Sequence, residues 1–314
     1  MGGSTSMPGQ EGITSVCSPM ARTLGDLTYF TRSLLAMKPW TYDHMVHPIG
    51  WRDDQERDAK EKKRFRVGVM TDDALQADGH EVVDITPPQP YEALVIASQL
   101  LNADGCKTFS SFLRTGEWND PGAAQMSFYM NIPRPLKYLY YLWVRYVRRD
   151  KIWAGLLKDW HEKSVSELWK LAYRREAYKA RWHEWWEQEA KLDFLITVPN
   201  ATPAVPHGGM KQSVSSCGYT FLFNLLDYTA GVLPITHVDR SLDQLPPGFR
   251  LHDLNGVARG AYVHYDADKM HGLPVGVQVV GQRLQEEKVL AVMGRIEEAM
   301  ERWAGGKFEL LEID

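Results

Sequence analysis

Apolar positions change their period once near the end of the chain, and that change defines its clearest unit. From Leu273 to Gly281 the sequence runs Leu-Pro-Val-Gly-Val-Gln-Val-Val-Gly, an apolar, β-branched stretch bounded by glycines. This is the pattern of a buried strand within an α/β sheet. After it, Val289, Met293, Ile296, Met300 and Trp303 recur at alternating spacings of four and three, one stripe of a helix. Glu286 and Glu287 stand in the first turn, where the helix dipole favours negative charge.

The same reading extends over the rest of the chain. Thr23 with Asp26 three positions later forms a capping-box pattern, and the helix it opens carries Leu24, Leu27, Leu34 and Leu35 to near Met37. Residues 52–64 are a mixed charge run and read as a solvated loop or linker. Arg66–Met70 and Glu81–Ile85 read as short buried strands. Only the ten residues 71–80 lie between them, fewer than the dozen or more that a parallel crossover normally takes. Two readings stay open there: an internal deletion within a crossover unit, or a direct antiparallel connection. Tyr91–Leu101 is an apolar helix, 110–125 a loop with helical pieces, and 135–191 a helical region in which aromatics interleave with Arg and Lys. Leu192–Pro199 reads as a strand leading into a Pro-rich loop. Phe221–Ile235 reads as a helix or turn followed by a buried strand, and Arg240–Gly272 as an irregular polar segment. The sum is an α/β fold, a mixed sheet covered by helices on both faces, with a helical insertion at 135–191.

Composition narrows the function class. With 44% hydrophobic and 24% charged residues over 314 positions, the chain is globular rather than disordered. A formal net charge of −4 gives no support for a nucleic-acid partner. Cys17, Cys106 and Cys217 are distant and odd in number, which points to reduced, partly buried thiols and a cytoplasmic setting. The eleven tryptophans concentrate between Trp143 and Trp186. A helical insertion packing its aromatic faces inward accounts for them best, with the basic stems reaching water. The alternative is a weak membrane-surface or partner contact through 135–190.

Local chemistry offers mostly decoys. Gly2–Ser6 has the composition of a nucleophile loop but lacks the Gly-Gly-Glu that should follow. Lys211 stands beside Ser213, Ser215 and Ser216 without a glycine turn to expose a serine. Pro206-His207-Gly208-Gly209 has the look of an oxyanion loop, yet no G-x-S-x-G elbow occurs. His44 and His47 have no carboxylate or cysteine framework and read as a surface pair, so no metal site is expected. No P-loop or G-x-G-x-x-G string occurs, and no cofactor is implied.

Longer strings carry a resemblance. Pro274-Val275-Gly276-Val277-Gln278-Val279-Val280-Gly281-Gln282-Arg283-Leu284-Gln285-Glu286-Glu287 resembles the C-terminal signature of amidase-signature hydrolases, especially the fungal acetamidase-like branch. Ser18-Pro19-Met20-Ala21-Arg22-Thr23 resembles a segment that follows the catalytic loops there, with Ser18 for the usual Gly, and Lys38–Asp43 continues the likeness. Asn224, Asp227, Tyr228, Ala230 and Pro234 match an "N-x-x-D-Y-P-A-x-x-x-P" pattern, with Thr229 for the usual proline.

The resemblance implies hydrolysis of a small-molecule carboxamide to a carboxylate and ammonia or an amine. The family uses a serine–serine–lysine triad, in which lysine acts through a bridging serine to activate the nucleophile. The "GGSSGGE" and "DxGGSxRxP" strings that carry the serines do not occur here. The expectation is therefore one amidase-signature-like domain over 1–314, truncated on its N-terminal side and inactive alone. The alternative is a non-catalytic binding protein that keeps the pocket wall. Asn224, Tyr228 and Thr229 become candidate substrate-binding residues, and a homodimer is consistent with relatives.

Overall fold

The computed structural model describes residues 10, 12–13, 16–69, 80–114, 116–214, 216–304 and 308–309. The elements run α1 (Leu24–Ala36), α2 (Asp53–Glu61), β1 (Arg66–Val69), β2 (Glu81–Asp84), α3 (Pro90–Leu101), α4 (Lys107–Ser110), α5 (Pro121–Asn131) and α6 (Arg134–Leu142). They continue with α7 (Lys151–Asp159), α8 (Val165–Glu184), β3 (Phe194–Thr197), α9 (Met210–Ser213), α10 (Gly218–Leu226) and β4 (Ala230–His237). The last are α11 (Gly256–Tyr262), α12 (Ala267–Met270), β5 (Pro274–Val280) and α13 (Glu286–Ala304). Single π-helical turns extend α6 over Trp143–Val147 and α8 over Trp185–Ala190.

The strands form one mixed sheet in the order β2-β1-β3-β5-β4. β1 is parallel to both β2 and β3, while β5 runs antiparallel to β3 and β4. Alternation along each strand divides two cores. Phe194, Ile196, Val67, Val69 and Val279 face α13, meeting Val289, Val292, Met293 and Ile296. Leu195 and Val280 face the other way, against Ile96 and Leu100 of α3, Tyr178 and Trp182 of α8, and Leu225 of α10. The helices thus cover both faces, as the periodicity requires. The side chain of Trp303, the last member of the expected stripe, lies outside the described residues.

Five of the insertion's seven tryptophans point inward. Trp160, Trp182, Trp186 and Tyr178 are fully buried. Trp153 and Trp160 pack edge to face at 5.4 Å and seal a third core with Met130, Val144 and Leu157. Truncating a buried Trp typically costs about 3–5 kcal/mol, so these side chains carry much of the insertion's attachment. A smaller outward set, including Tyr138, Leu139, Trp143, Tyr146 and Trp169, remains exposed.

Four expectations change. Residues 53–61 are helical, not a loop: the first turn of α2 holds Asp53, Asp54 and Glu56, and Glu56 pairs with Lys60 one turn on at 2.6 Å. Only Ala59 of that helix is buried, so hydrophobic periodicity had nothing to report. The antiparallel alternative for Arg66–Met70 and Glu81–Ile85 is overturned, because Val67 pairs with Val82 and Val69 with Asp84 in parallel register. Residues 71–80, read as what an internal deletion leaves of a crossover unit, lie outside the described residues except for His80. The strand expected to be buried within Phe221–Ile235 is an edge: only Leu233 of β4 is buried, and Val232 is 52% exposed. β2, the opposite edge, has no fully buried residue either. Finally, Arg240–Gly272 contains α11 and α12, each started by a side-chain cap: Asn255 accepts from Val257 and Ala258, and Asp266 accepts from Lys269.

Candidate functional site

A cavity of about 640 Å³ opens beside the outer end of the β4–β5 pair. Three segments build it. The loop after β3 contributes Val198 to Ala204, a run of bends in which Pro199 and Pro203 fix the backbone φ. β4 contributes Val232, Pro234 and Thr236, and β5 contributes Pro274, Val275 and Gly276. Pro234 cannot donate to a ladder, and the register shifts between it and Thr236, a bulge that an edge strand tolerates. Gly276 permits close approach here, since a Cβ would stand 3.1 Å from the Leu233 carbonyl oxygen. Tyr262 and Tyr265, at and just beyond the end of α11, form another side.

The lining is chiefly apolar with a few fixed polar groups. The Tyr265 hydroxyl donates to the Asp243 carbonyl at 2.6 Å. Burial, and then the charge of Asp243, raises its pKa above the usual phenol value, so it stays protonated as a donor. Asn200 Oδ1 is buried without a hydrogen-bond partner among the described residues. No Ser, Cys, His or Lys lines this cavity among the described residues. The space can hold an apolar organic group and orient it, but its wall offers no nucleophile–base pair.

The three sequence-derived candidates lie at the opposite end of β4. Asp227 caps α10 in the left-handed region (φ 62°), which Asp and Asn adopt more readily than most residues. Its N–H donates to the Asn224 carbonyl at 3.3 Å, and the Tyr228 N–H to the Phe223 carbonyl at 3.1 Å. The Asn224 side chain is exposed. The Tyr228 ring packs edge to face on Trp186 at 5.6 Å, and burial first, then Glu187, pushes its hydroxyl pKa up. Thr229 fastens the corner into the β5–α13 turn: its hydroxyl accepts from Gln285 N–H at 3.2 Å and donates to Glu286 at 3.3 Å. Arg52 locks the same turn by bonding the Leu284 carbonyl and gripping Glu287 through two side-chain contacts, at 2.6 and 3.2 Å. Three residues of strand rise, about 10 Å, separate Thr229 from Val232, the first β4 residue at the cavity. The structure thus brings Asn224, Tyr228 and Thr229 together as a corner and places none of them in the cavity lining.

The decoys also find structural places. Ser213 is buried and donates to the Gly260 carbonyl at 2.7 Å, which ties α9 to α11. Ser215 and Gly2–Ser6 lie outside the described residues. His207 is exposed. His47 is exposed and hydrogen-bonds Arg283 at 3.0 Å. Cys106 and Cys217 have their pKa values pushed up to about 11 by burial, which disfavours the reactive thiolate. The cavity wall itself was missed in the sequence, except for its strands. Tyr262 and Tyr265 sit three apart after an Asn cap, a helical signal hidden inside a segment read as irregular.

Comparison with known proteins assigns the chain. The family model "Amidase" matches residues 3–290, most of the chain. The acetamidase of Aspergillus oryzae is 31% identical over 317 aligned positions, covering 93% of this chain and 52% of that protein. The acetamidase of Emericella nidulans is 29% identical, covering 91% and 51%. A solved structure of a fatty acid amide hydrolase superposes with a TM-score of 0.68 at 20% identity, over 94% of this chain and 50% of that one. The chain therefore spans about half the length of the curated relatives it matches. It belongs to the amidase family, and it has the α/β fold of that solved structure.

Proposed function

We propose that this chain supplies the apolar substrate wall of an amide hydrolase that converts a small carboxamide to a carboxylate and ammonia or an amine. The observation that carries the reading is the 640 Å³ cavity, whose walls all fall within the stretch matched by the family. A carboxamide carbon is weakly electrophilic. Its cleavage needs an activated nucleophile and donors aimed at the developing oxyanion. The glycine–serine strings of the serine–serine–lysine mechanism are not among these 314 residues, and the cavity wall presents no substitute. We therefore expect the 314-residue chain to show no turnover by itself. In this reading Tyr228 and Thr229 act on substrate through the shape of the corner between α10, β4 and β5. Asn224, exposed at the same corner and outside the cavity lining, acts with them from that corner and not by touching a group held in the cavity.

The test has two parts. The intact mass of the polypeptide from its natural source is compared with the 35.9 kDa of this chain. Ammonia release is then measured for both polypeptides on carboxamides graded from acetamide to aryl and alkyl amides. The expected result is a heavier natural polypeptide that turns over amides and a 314-residue chain that does not. Turnover by the pure 314-residue chain would overturn its inactivity. A natural polypeptide that binds amides but releases no product would overturn the hydrolase reading in favour of a binding protein.

A further inference from the structure

A second groove, sharing no residue with the β4–β5 cavity, lies between the start of α3, the end of α6 with its π turn, the end of α7 and one side of α8. It encloses about 520 Å³. Arg145, Lys158, Arg174 and Arg181 line it against only two carboxylates, Glu92 and Asp159. Two positive charges are thus in excess there, on a protein whose formal net charge is −4.

The pairing within the groove is uneven. Glu92 receives Arg181 at 2.5 Å and Arg174 at 3.8 Å, so one carboxylate serves two guanidiniums. Arg145 and Lys158 have no carboxylate within ion-pair distance among the described residues. The Arg145 guanidinium instead lies against the rings of Tyr141 and Tyr146, at 5.9 and 5.7 Å, which orients it without neutralising it. The floor is tightly set. Tyr91 donates to the Ile152 carbonyl at 3.0 Å and passes over Gly155, where a Cβ would stand 2.1 Å from the hydroxyl. Gln89, at the lip, holds a left-handed backbone (φ 39°), the kind of local strain that accumulates at binding sites.

We propose that this groove binds a phosphate monoester. Such a group carries a charge of about −1.5 to −2 and three acceptor oxygens at neutral pH, which matches the excess charge and its arrival from three helices. Guanidiniums on a rigid helix present forked donors, and Lys158 adds a mobile point charge. Tyr91 and Tyr141 supply flat surface for the organic part of the ester. This site is independent of the amide-hydrolase reading, because no residue is shared between the two cavities.

Calorimetric titration of the full chain with phenyl phosphate in a phosphate-free buffer tests the proposal. Vesicle co-sedimentation runs in parallel, using phosphatidylcholine alone and phosphatidylcholine with one-fifth phosphatidic acid. The variant is Arg145→Glu with Lys158→Glu, two groups without carboxylate partners; the control is Lys170→Glu, an exposed α8 residue outside the groove. Thermal melts confirm that both fold. Phenyl phosphate binding that is kept in the control and weakened at least about tenfold in the double variant supports a free ester as ligand. Binding confined to phosphatidic acid vesicles, and lost in the double variant, supports the same chemistry on a lipid headgroup. Absence of binding to either probe at millimolar concentration overturns the site. So does binding that the double variant leaves unchanged.

Discussion

Lys137 is buried in the insertion with no carboxylate against it among the described residues, and its charge should be readable in the pH dependence of stability. Its ammonium donates to the carbonyls of Met130 (3.0 Å) and Trp160, which close the C-terminal ends of α5 and α7. Two influences compete. Helix C-termini favour a cation. Burial disfavours it, and the nearby Lys163 and Arg134 add to that effect, so the pKa falls from 10.5 to about 8. The difference corresponds to about 3 kcal/mol, taken as an upper figure because water can reach the site by local opening. The sign follows from the folded value being the lower one. Between pH 8 and 10.5 the unfolded chain holds a proton that the folded chain has released, so stability rises with pH across that window. Below pH 8 the full penalty is present, and above 10.5 it is gone. Lys137→Met keeps the volume, removes the titration and leaves two carbonyls without their donor, a loss of about 1–3 kcal/mol. Near pH 7 the losses roughly cancel and the variant should match the parent. By pH 10 the parent should be ahead by about 2–3 kcal/mol, because only it has gained. Urea unfolding of both proteins at pH 7, 8, 9 and 10 gives the difference directly, and groups common to both cancel. A difference that stays flat, or that moves toward the variant as pH rises, would show that the helix ends hold the proton and that burial does not dominate.

Two further changes probe the frame around the proposed substrate cavity. Glu287 is 2% exposed and grips Arg52, so Glu287→Ala should lower unfolding stability by about 2–3 kcal/mol; Arg52 can partly recover water, which keeps the loss below that of a fully buried pair. The shift in urea midpoint at constant m measures it. At Gly260 a Cβ would stand 2.5 Å from the Gln212 carbonyl oxygen, a backbone atom that cannot rotate away. Gly260→Ala should cost about 2 kcal/mol by prising α11 from α9, and hydrogen exchange should quicken in both helices while the β1–β3 ladder stays protected.

Much of the sheet was legible because strands buried on both faces read as continuous apolar runs. Phe194 and Ile196 go to one core and Leu195 to the other, and the period change after Gly281 marks the step from β5 to α13. The failures have physical causes. α2 is held by charge and by Arg295, which donates to the carbonyls of Lys60 and Lys62 at 3.1 and 3.0 Å, so its helicity leaves no apolar stripe. β4 has strand-forming residues but lies at an edge. Composition reports β-propensity, whereas burial depends on what lies beyond the strand, and that is set by partners distant in sequence. The parallel β1–β2 pair was undecided for a similar reason. A short connection argues for a hairpin, but the eleven positions between Val69 and Glu81 could reach about 36 Å if extended, ample for a chain to return along a four-residue strand and step to its neighbour.

The site was less legible than the fold, and the corner at 224–229 explains why. The N-x-x-D-Y pattern stands out because Asp227 must take a left-handed backbone, Tyr228 must fill space against Trp186, and Thr229 must clasp the next turn. Each demand is a demand of geometry, and each singles out residue types as sharply as ligand contact would. The cavity wall makes weaker demands on identity. Val198, Val232 and Val275 need only be apolar and of suitable size, so no motif announces them. Sequence patterns therefore locate the joints that aim β4 and β5, and the cavity appears where the two strands are aimed. If the corner positions substrate in this way, Thr229→Ala should change the cavity only through the β5–α13 turn. Its effect on amide selectivity in the natural polypeptide should then be reproduced by Gln285→Gly, which removes the side chain that binds the Gln282 N–H in the same turn at 3.2 Å. Direct contact by Thr229 would separate the two variants, with Thr229→Ala altering KM for substrates that Gln285→Gly leaves untouched.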